Sequence, residues 1–303
     1  MPIAVREEFQ RATGVRIMVT YGLTENLANA TMDPRDGPVK AGASGIRLPY
    51  TDLRTVIVDD LQRWVRDCAC DEIGEIWVRG PGVSPGTIGR DGATVPLDVG
   101  GWLPTGDLGR LDGDGYLTVT GRAKDVIIRG GHNISPAMIE EPLQASPDVL
   151  HAAAVGKLDA YAGEIPVAYV ELVAGSSATS DGLLRYLQPR IGERAALPKE
   201  IYIVDKMPLS TVGKPLKVAL RADAAVRTLR ADLAARLGFS PADERLEVAV
   251  LPHALFGSQA LIRVRCTSAR EEELYRKIAT EAMGLYTVSF KVDVGIAGAA
   301  EPR

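Results

Sequence analysis

Apolar positions near the start of the chain recur at helical spacing. Val5, Phe9 and Ala12 fall at i, i+4 and i+7 with charges between them, so residues 2–12 are expected to form an amphipathic helix closed by Gly14. The run Val15 to Tyr21 carries strand-forming residues. From residue 45 to 120 no helical period is sustained. Short β-type runs (Leu53 to Val58, Gly74 to Arg79, Gly115 to Thr120) alternate with Gly, Pro and Asp clusters, which predicts a β-rich subdomain, barrel or sandwich. A different rhythm begins at Val126-Ile127-Ile128. A short helix, Pro136 to Gln144, is followed by strands at Val149 to Val155 and Ile165 to Val173. Gly182 to Arg190 reads as helix, Glu200 to Val204 as strand and Pro208 to Pro215 as loop. This is a compact α+β module. A long helix, Lys217 to Leu237, leads into strands at Leu246 to Leu251 and Leu261 to Arg265. A helix at Ser268 to Met283 and a strand at Leu285 to Val292 complete a β-β-α-β unit, and residues 293–303 read as a frayed tail.

Charge and composition narrow the function classes. Lys plus Arg is 35 against 39 Asp plus Glu, a net charge of −4 over 303 residues, with no basic footprint for nucleic acid. The longest uncharged run, Val248 to Ile262, contains Pro, His, Gly, Ser and Gln and falls short of the roughly 20 apolar residues a membrane span needs. Met1 to Glu8 has neither the length nor the order of a signal peptide. Cys68, Cys70 and Cys266 cannot build a disulfide framework, and Cys68-Ala69-Cys70 is too tight for a zinc knuckle. Reduced thiols in a cytoplasmic protein are the expectation.

Four stretches carry candidate chemistry. Tyr21-Gly22-Leu23-Thr24-Glu25 sits at a strand end, where Gly22 admits close approach to backbone and Thr24 with Glu25 offers a hydroxyl and a carboxylate suited to phosphate and Mg²⁺. A turn with a capping threonine explains the same string. Thr105-Gly106-Asp107 places an Asp after a Gly, which suits a ribose diol or an Asx turn. Asp112-Gly113-Asp114-Gly115 lacks the downstream Glu of a calcium loop and reads as a hairpin. Gly121 to Pro136 sets two basic residues, Arg122 and Lys124, before a strand and the double glycine Gly130-Gly131, which precedes His132, Asn133 and Ile134. A solvated basic stretch before a β-hairpin explains the charges but not the glycines, which would let something narrow pass close to the backbone. Pro208 to Pro215 puts Lys214 after Gly213 in a loop, where a point charge can reach a developing anion or remain on the surface.

In this order and spacing the four stretches resemble the adenylate-forming superfamily: acyl-CoA synthetases, peptide-synthetase adenylation domains and luciferases. The match covers roughly residues 2–222, and the Gly-Gly-His-Asn-Ile variant looks closest to bacterial fatty-acyl-CoA synthetases with a C-terminal extension. The resemblance implies an α/β protein built of α+β modules. Residues 1–122 would be the β-rich C-terminal part of the large AMP-binding domain, 123–222 the mobile C-terminal domain, and 223–303 a small α+β extension. It implies activation of a fatty or other carboxylic acid by MgATP to an acyl-adenylate, then thioester formation with coenzyme A. Tyr21 and Gly22 would lie near adenine, Thr24 would touch phosphate and Glu25 would hold Mg²⁺. Asp107 and Arg122 would hold the ribose hydroxyls. Lys124 would be the hinge, Lys214 the catalytic lysine of adenylation, and Gly131 with Asn133 would line the pantetheine channel.

The departures matter as well. The family's Ser/Thr/Gly-rich phosphate loop ending in Pro-Lys is not found in these residues, because Gly80 to Gly89 lacks the lysine and follows the wrong motif. Trp102 and Met138 stand where the family often has a tyrosine and an acid. Three readings follow: an acyl-CoA ligase portion whose activity needs the phosphate loop, which a protein partner could supply; an inactive fragment that binds CoA, nucleotide or protein; or an aryl-acid ligase of the same superfamily.

Overall fold

The computed structural model describes residues 3–59, 61–88, 93–96, 100–253 and 257–296. Pro2, Gly89 and residues 297–303, which figure in the sequence expectations, lie outside them. The chain divides into two compact units, residues 1–125 and 126–303.

In the first unit, α1 (Ile3–Thr13) ends at Gly14, whose φ of 70° lets its amide reach the Gln10 carbonyl at 2.9 Å. The strand expected over Val15 to Tyr21 shrinks to β1 (Thr20–Tyr21). Side chains take up the remainder: the Val19 amide donates to the Asp33 carboxylate at 2.9 Å, and the Arg16 guanidinium donates to the Pro34 and Arg35 carbonyls. With β2 (Thr31–Met32) and β3 (Ile46–Arg47), β1 forms a small antiparallel sheet in the order β1-β2-β3.

Next come β4 (Asp52–Val58), β5 (Trp64–Asp67), β6 (Gly74–Arg79), the hairpin β7 (Gly86–Ile88) with β8 (Thr94–Pro96), β9 (Leu103–Leu111) and β10 (Leu117–Arg122). Five of them form an antiparallel sheet in the order β10-β9-β6-β4-β5. Among the described residues its pairing runs from one edge to the other without closing, so the β-rich expectation holds as an open sheet and not as a barrel or sandwich. The sequence reading missed β9, the strand between β10 and β6, because Pro104, Gly106 and Gly109 disguise it. Gly109 is required there: a Cβ would stand 2.8 Å from both the Thr118 carbonyl oxygen and the Ile76 side chain. Asp112 to Gly115 is the β9–β10 hairpin turn as read, and the Lys40 ammonium neutralises both of its carboxylates.

The second unit opens with β11 (Ile127–Arg129) and β12 (His132–Ile134), then α2 (Ala137–Gln144), β13 (Val149–Asp159), β14 (Gly163–Leu172), α3 (Ser180–Leu187) and β15 (Ile201–Ile203). The sheet order is β12-β11-β14-β13, with β15 parallel to β14. Alternate residues of β13 and β14 serve two cores. Ala152, Ala154, Ala168 and Val170 pack against Ile139 and Leu143 of α2 and Leu183 and Leu187 of α3. Ala153, Val155, Val167 and Tyr169 pack with Leu220 and Ala224 of α4 (Lys217–Leu237). Both faces are buried, hence the near-continuous apolar runs.

Helix α4 keeps the boundaries expected of it. Its later residues Leu229, Leu233 and Leu237 enter a third core with β16 (Leu246–His253), β17 (Gly257–Cys266), α5 (Ala269–Met283) and β18 (Ser289–Ile296). The β-β-α-β order is as read. The last strand lies four residues later than expected, so Asp293 to Ile296 are strand and not tail; they pair in parallel with β17. Among the described residues, no helix is long and apolar enough to cross a membrane.

Candidate nucleotide-binding site

The first unit gathers Tyr21, Asp107 and Arg122. A bulge in β9 brings this about: Glu75 pairs with Leu108 and Trp77 with Pro104, so Thr105, Gly106 and Asp107 together face the single residue Ile76. Gly106 takes φ 69°, which glycine adopts without strain. The bulge is closed by side chains. The Thr105 hydroxyl donates to the Ile76 carbonyl at 2.8 Å and accepts the Asp107 amide at 3.1 Å, while the Gly106 amide donates to Glu75 Oε1 at 3.1 Å. Glu75 Oε2 accepts the Trp77 indole N–H at 3.2 Å.

Asp107 is buried, at 6% exposure. Its Oδ2 accepts the Tyr21 hydroxyl at 2.9 Å and its Oδ1 meets Arg122 Nε at 3.1 Å, across the Asp107–Arg122 pair of β9 and β10. Burial pushes the Tyr21 phenol well above its ordinary value, and the neighbouring Asp107 carboxylate adds to this. Beside this triad lies a cleft of about 390 Å³ lined by Gln62, Thr105, Gly106, Arg122, Ala123 and Lys124. Lys124 belongs to the 3-10 turn Ala123–Asp125, the last residues of the first unit.

Gly22, Thr24 and Glu25 occupy a neighbouring turn. A Cβ on Gly22 would stand 2.1 Å from the Ala28 carbonyl carbon, so what the glycine admits here is the chain's own backbone. Thr24 is exposed and Glu25 half-buried, on the 3-10 turn Thr24–Asn26. Among the described residues no three His, Cys, Asp or Glu side chains cluster as a ready-made metal site. Glu25 stands as a single carboxylate, a donor set that fits magnesium when phosphate and water supply the other oxygens.

The second unit holds the remaining candidates. Gly130 and Gly131, at φ 54° and 86°, make the two-residue turn between β11 and β12, and Asn133 is exposed on β12. Nothing lies within 4 Å of a Cβ built on either glycine, so the backbone conformation, not crowding, calls for glycine. Lys214 is exposed on a closed turn: the Ser210 amide donates to the Lys214 carbonyl at 2.8 Å, and Ser210 Oγ accepts the Lys214 amide at 3.1 Å. Gly213 takes φ 76° and donates to the Ser210 carbonyl. Just beyond, Lys217 pairs with Glu140 at 2.8 Å and so ties the start of α4 to α2.

Two residues at the first-unit site were missed from sequence. Gln62 on the cleft rim sits at φ 60°, which composition does not mark. Glu75 did leave a signal, a carboxylate in the otherwise apolar run Gly74 to Val78, and it is 5% exposed.

Residues 1–87 match the family model of AMP-binding enzymes, and residues 138–214 match that of the AMP-binding enzyme C-terminal domain. The chain is 46% identical over 230 residues to marinolic acid–CoA ligase of Pseudoalteromonas sp. (strain SANK 73390), covering 76% of this chain and 35% of that ligase. It is 39% identical to indoleacetate–CoA ligase of Aromatoleum aromaticum, covering 72% and 41% respectively. Among solved structures, ATP-bound MatB from Rhodopseudomonas palustris superposes with a TM-score of 0.65 at 31% identity, over 73% of this chain and 43% of that one. The chain thus spans between about a third and two fifths of the length of the curated relatives it matches. With an α/β fold, both family models and CoA-ligase relatives in agreement, the chain belongs to the adenylate-forming AMP-binding enzymes and corresponds to their C-terminal portion.

Proposed function

We propose that this chain carries the ribose-binding strands, the hinge and the mobile lysine domain of an AMP-forming acid–CoA ligase. Residues 1–122 contribute to the nucleotide site, 123–222 form the mobile domain and 223–303 its extension. The observation that carries the reading is the Tyr21–Asp107–Arg122 triad. A carboxylate has about four lone-pair sites. Tyr21 and Arg122 occupy one on each oxygen, which leaves one on each for the two hydroxyls of a vicinal diol. Arg122, with its side chain about half exposed, keeps guanidinium donors for the same ribose.

In the proposed reaction a substrate carboxylate attacks the α-phosphorus of ATP and pyrophosphate leaves. The thiol of coenzyme A then attacks the acyl carbon of the adenylate and AMP leaves. Glu25 would hold magnesium, which when bound would neutralise phosphate charge. Tyr21 and Gly22 border the adenine, Thr24 meets phosphate, and Lys214 supplies positive charge to the first step. The chain turns at Lys124 so that Gly131 and Asn133 line the pantetheine path in the second.

The acid is a carboxylic acid of unfixed class. The similarity to an indoleacetate ligase favours an aryl acid, and the Gly-Gly-His-Asn-Ile variant favours a fatty acid. The test is ATP–pyrophosphate exchange by the chain joined to the phosphate-loop portion of a relative, with fatty and aryl acids in parallel. Acid-dependent exchange that disappears in Asp107→Ala supports the reading; exchange unaffected by that change refutes the ribose assignment.

A further inference from the structure

The β9 bulge takes the Gly106 amide out of the strand ladder. Its partner is the buried Glu75 carboxylate, which is shared with the Trp77 indole. A buried carboxylate is costly unless its acceptors are used, and here both oxygens accept from donors fixed by the sheet. Thr105 and Asp107 on either side of Gly106 are joined to each other by the Asp107 amide and the Thr105 hydroxyl, so the shape of the bulge depends on where Glu75 holds Gly106. Asp107 in turn sets the positions of the Tyr21 hydroxyl and of Arg122 Nε.

We propose that Glu75 is a positioning residue for ribose recognition: by holding the Gly106 amide it fixes the bulge that aims Asp107 at the diol. The proposal rests on the ribose assignment made above. It separates Glu75 from Trp77, its other partner. Glu75→Gln places an amide NH₂ against one of two N–H donors and removes one acceptor, so the Gly106 bond weakens or the bulge relaxes. Trp77→Phe removes only the indole donor and leaves the Gly106 bond in place.

The experiment is calorimetric titration of the 303-residue chain with AMP and with 2′,3′-dideoxy-AMP, alongside thermal melts followed by circular dichroism. The wild-type chain is expected to prefer AMP. Glu75→Gln should lose about tenfold in AMP affinity, the scale of one buried hydrogen bond left unmade, and bind the dideoxy nucleotide unchanged. Trp77→Phe should keep the preference even where its melt falls as far as that of Glu75→Gln. A wild-type preference retained in Glu75→Gln overturns the proposal. So does a Trp77→Phe variant that loses the preference equally, since that would reduce Glu75 to general packing. A wild-type chain that binds both nucleotides alike, or neither, refutes the ribose assignment itself and the positioning role with it.

Discussion

The second unit buries its central sheet on both faces, with Ile139, Leu143 and Leu187 on one side and Leu220 and Ala224 on the other. The first unit has a thin apolar cluster of Ala30, Ile76, Val78 and Leu117. Its connections are tied instead by polar pairs: Arg6 to Asp33, Lys40 to Asp112 and Asp114, Arg66 to Glu72 and Arg79 to Asp52. All three tryptophans, Trp64, Trp77 and Trp102, stand around the Arg54 guanidinium, the nearest at 4.1 Å. Strand β5 at the sheet edge is exposed along its whole length. The contrast follows from the proposed tasks. A unit that presents a carboxylate and backbone bulges to a nucleotide needs polar groups near its surface, and these displace apolar packing. A unit whose proposed tasks are to carry Lys214 and to line a path with Gly131 and Asn133 needs above all to be stiff.

The largest expected effect breaks the comparison at the level of chemistry. In the ligase formed with a phosphate-loop portion, Lys214→Ala should slow adenylation by about 10²–10³, or 3–4 kcal/mol, the scale of a lost transition-state donor. Thioester formation from supplied acyl-adenylate should barely change. Separate assays of the half-reactions check this, and equal loss in both would remove the assignment of Lys214 to the first step alone.

Next in size is a core truncation. Leu143 is fully buried between α2 and the sheet. Leu143→Ala should cost about 3 kcal/mol. The loss should fall on the second unit and leave the tryptophan fluorescence transition, which reports only on the first, where it was.

A smaller difference separates the units in the unaltered chain. Amides of β13 and β14 should exchange more slowly than those of β4 and β5 by about tenfold or more, because exposed ion pairs are worth only about 0–1 kcal/mol each and thinly packed regions open locally. Hydrogen exchange read by mass spectrometry measures this; equal protection would contradict the stability contrast drawn from the cores.

The smallest effect is one of pH. Hydrogen bonds from Arg66 and the Ala69 amide pull the Glu72 carboxylate down from its ordinary 4.5 to about 2. Since the folded value is the lower one, the unfolded chain binds more protons between these limits. The stabilisation is therefore complete above about 4.5 and is lost as pH falls towards 2. Glu72→Gln should flatten that acid-side decline for the first unit only, as read by urea unfolding at several pH values with tryptophan fluorescence.

What could be read without coordinates was local. The helix Lys217–Leu237, the Asp112–Gly115 turn and the β-β-α-β order all follow from periodicity and turn residues, which act within a few residues. The motif spacings likewise placed Tyr21, Asp107 and Arg122 on a candidate list. Their meeting was decided by tertiary structure. Tyr21 and Asp107 are 86 residues apart, and they touch because β9 is a strand in spite of Pro104, Gly106 and Gly109. Local propensity argues against a strand there, but pairing with β6 and β10 supplies partners on both sides and outweighs it. Glu75 shows the same limit: its charge was visible in the sequence, but its partner, the Gly106 amide, exists only once the bulge has formed. Hydrogen bonds between strands depend on register, and register is a property of the folded sheet.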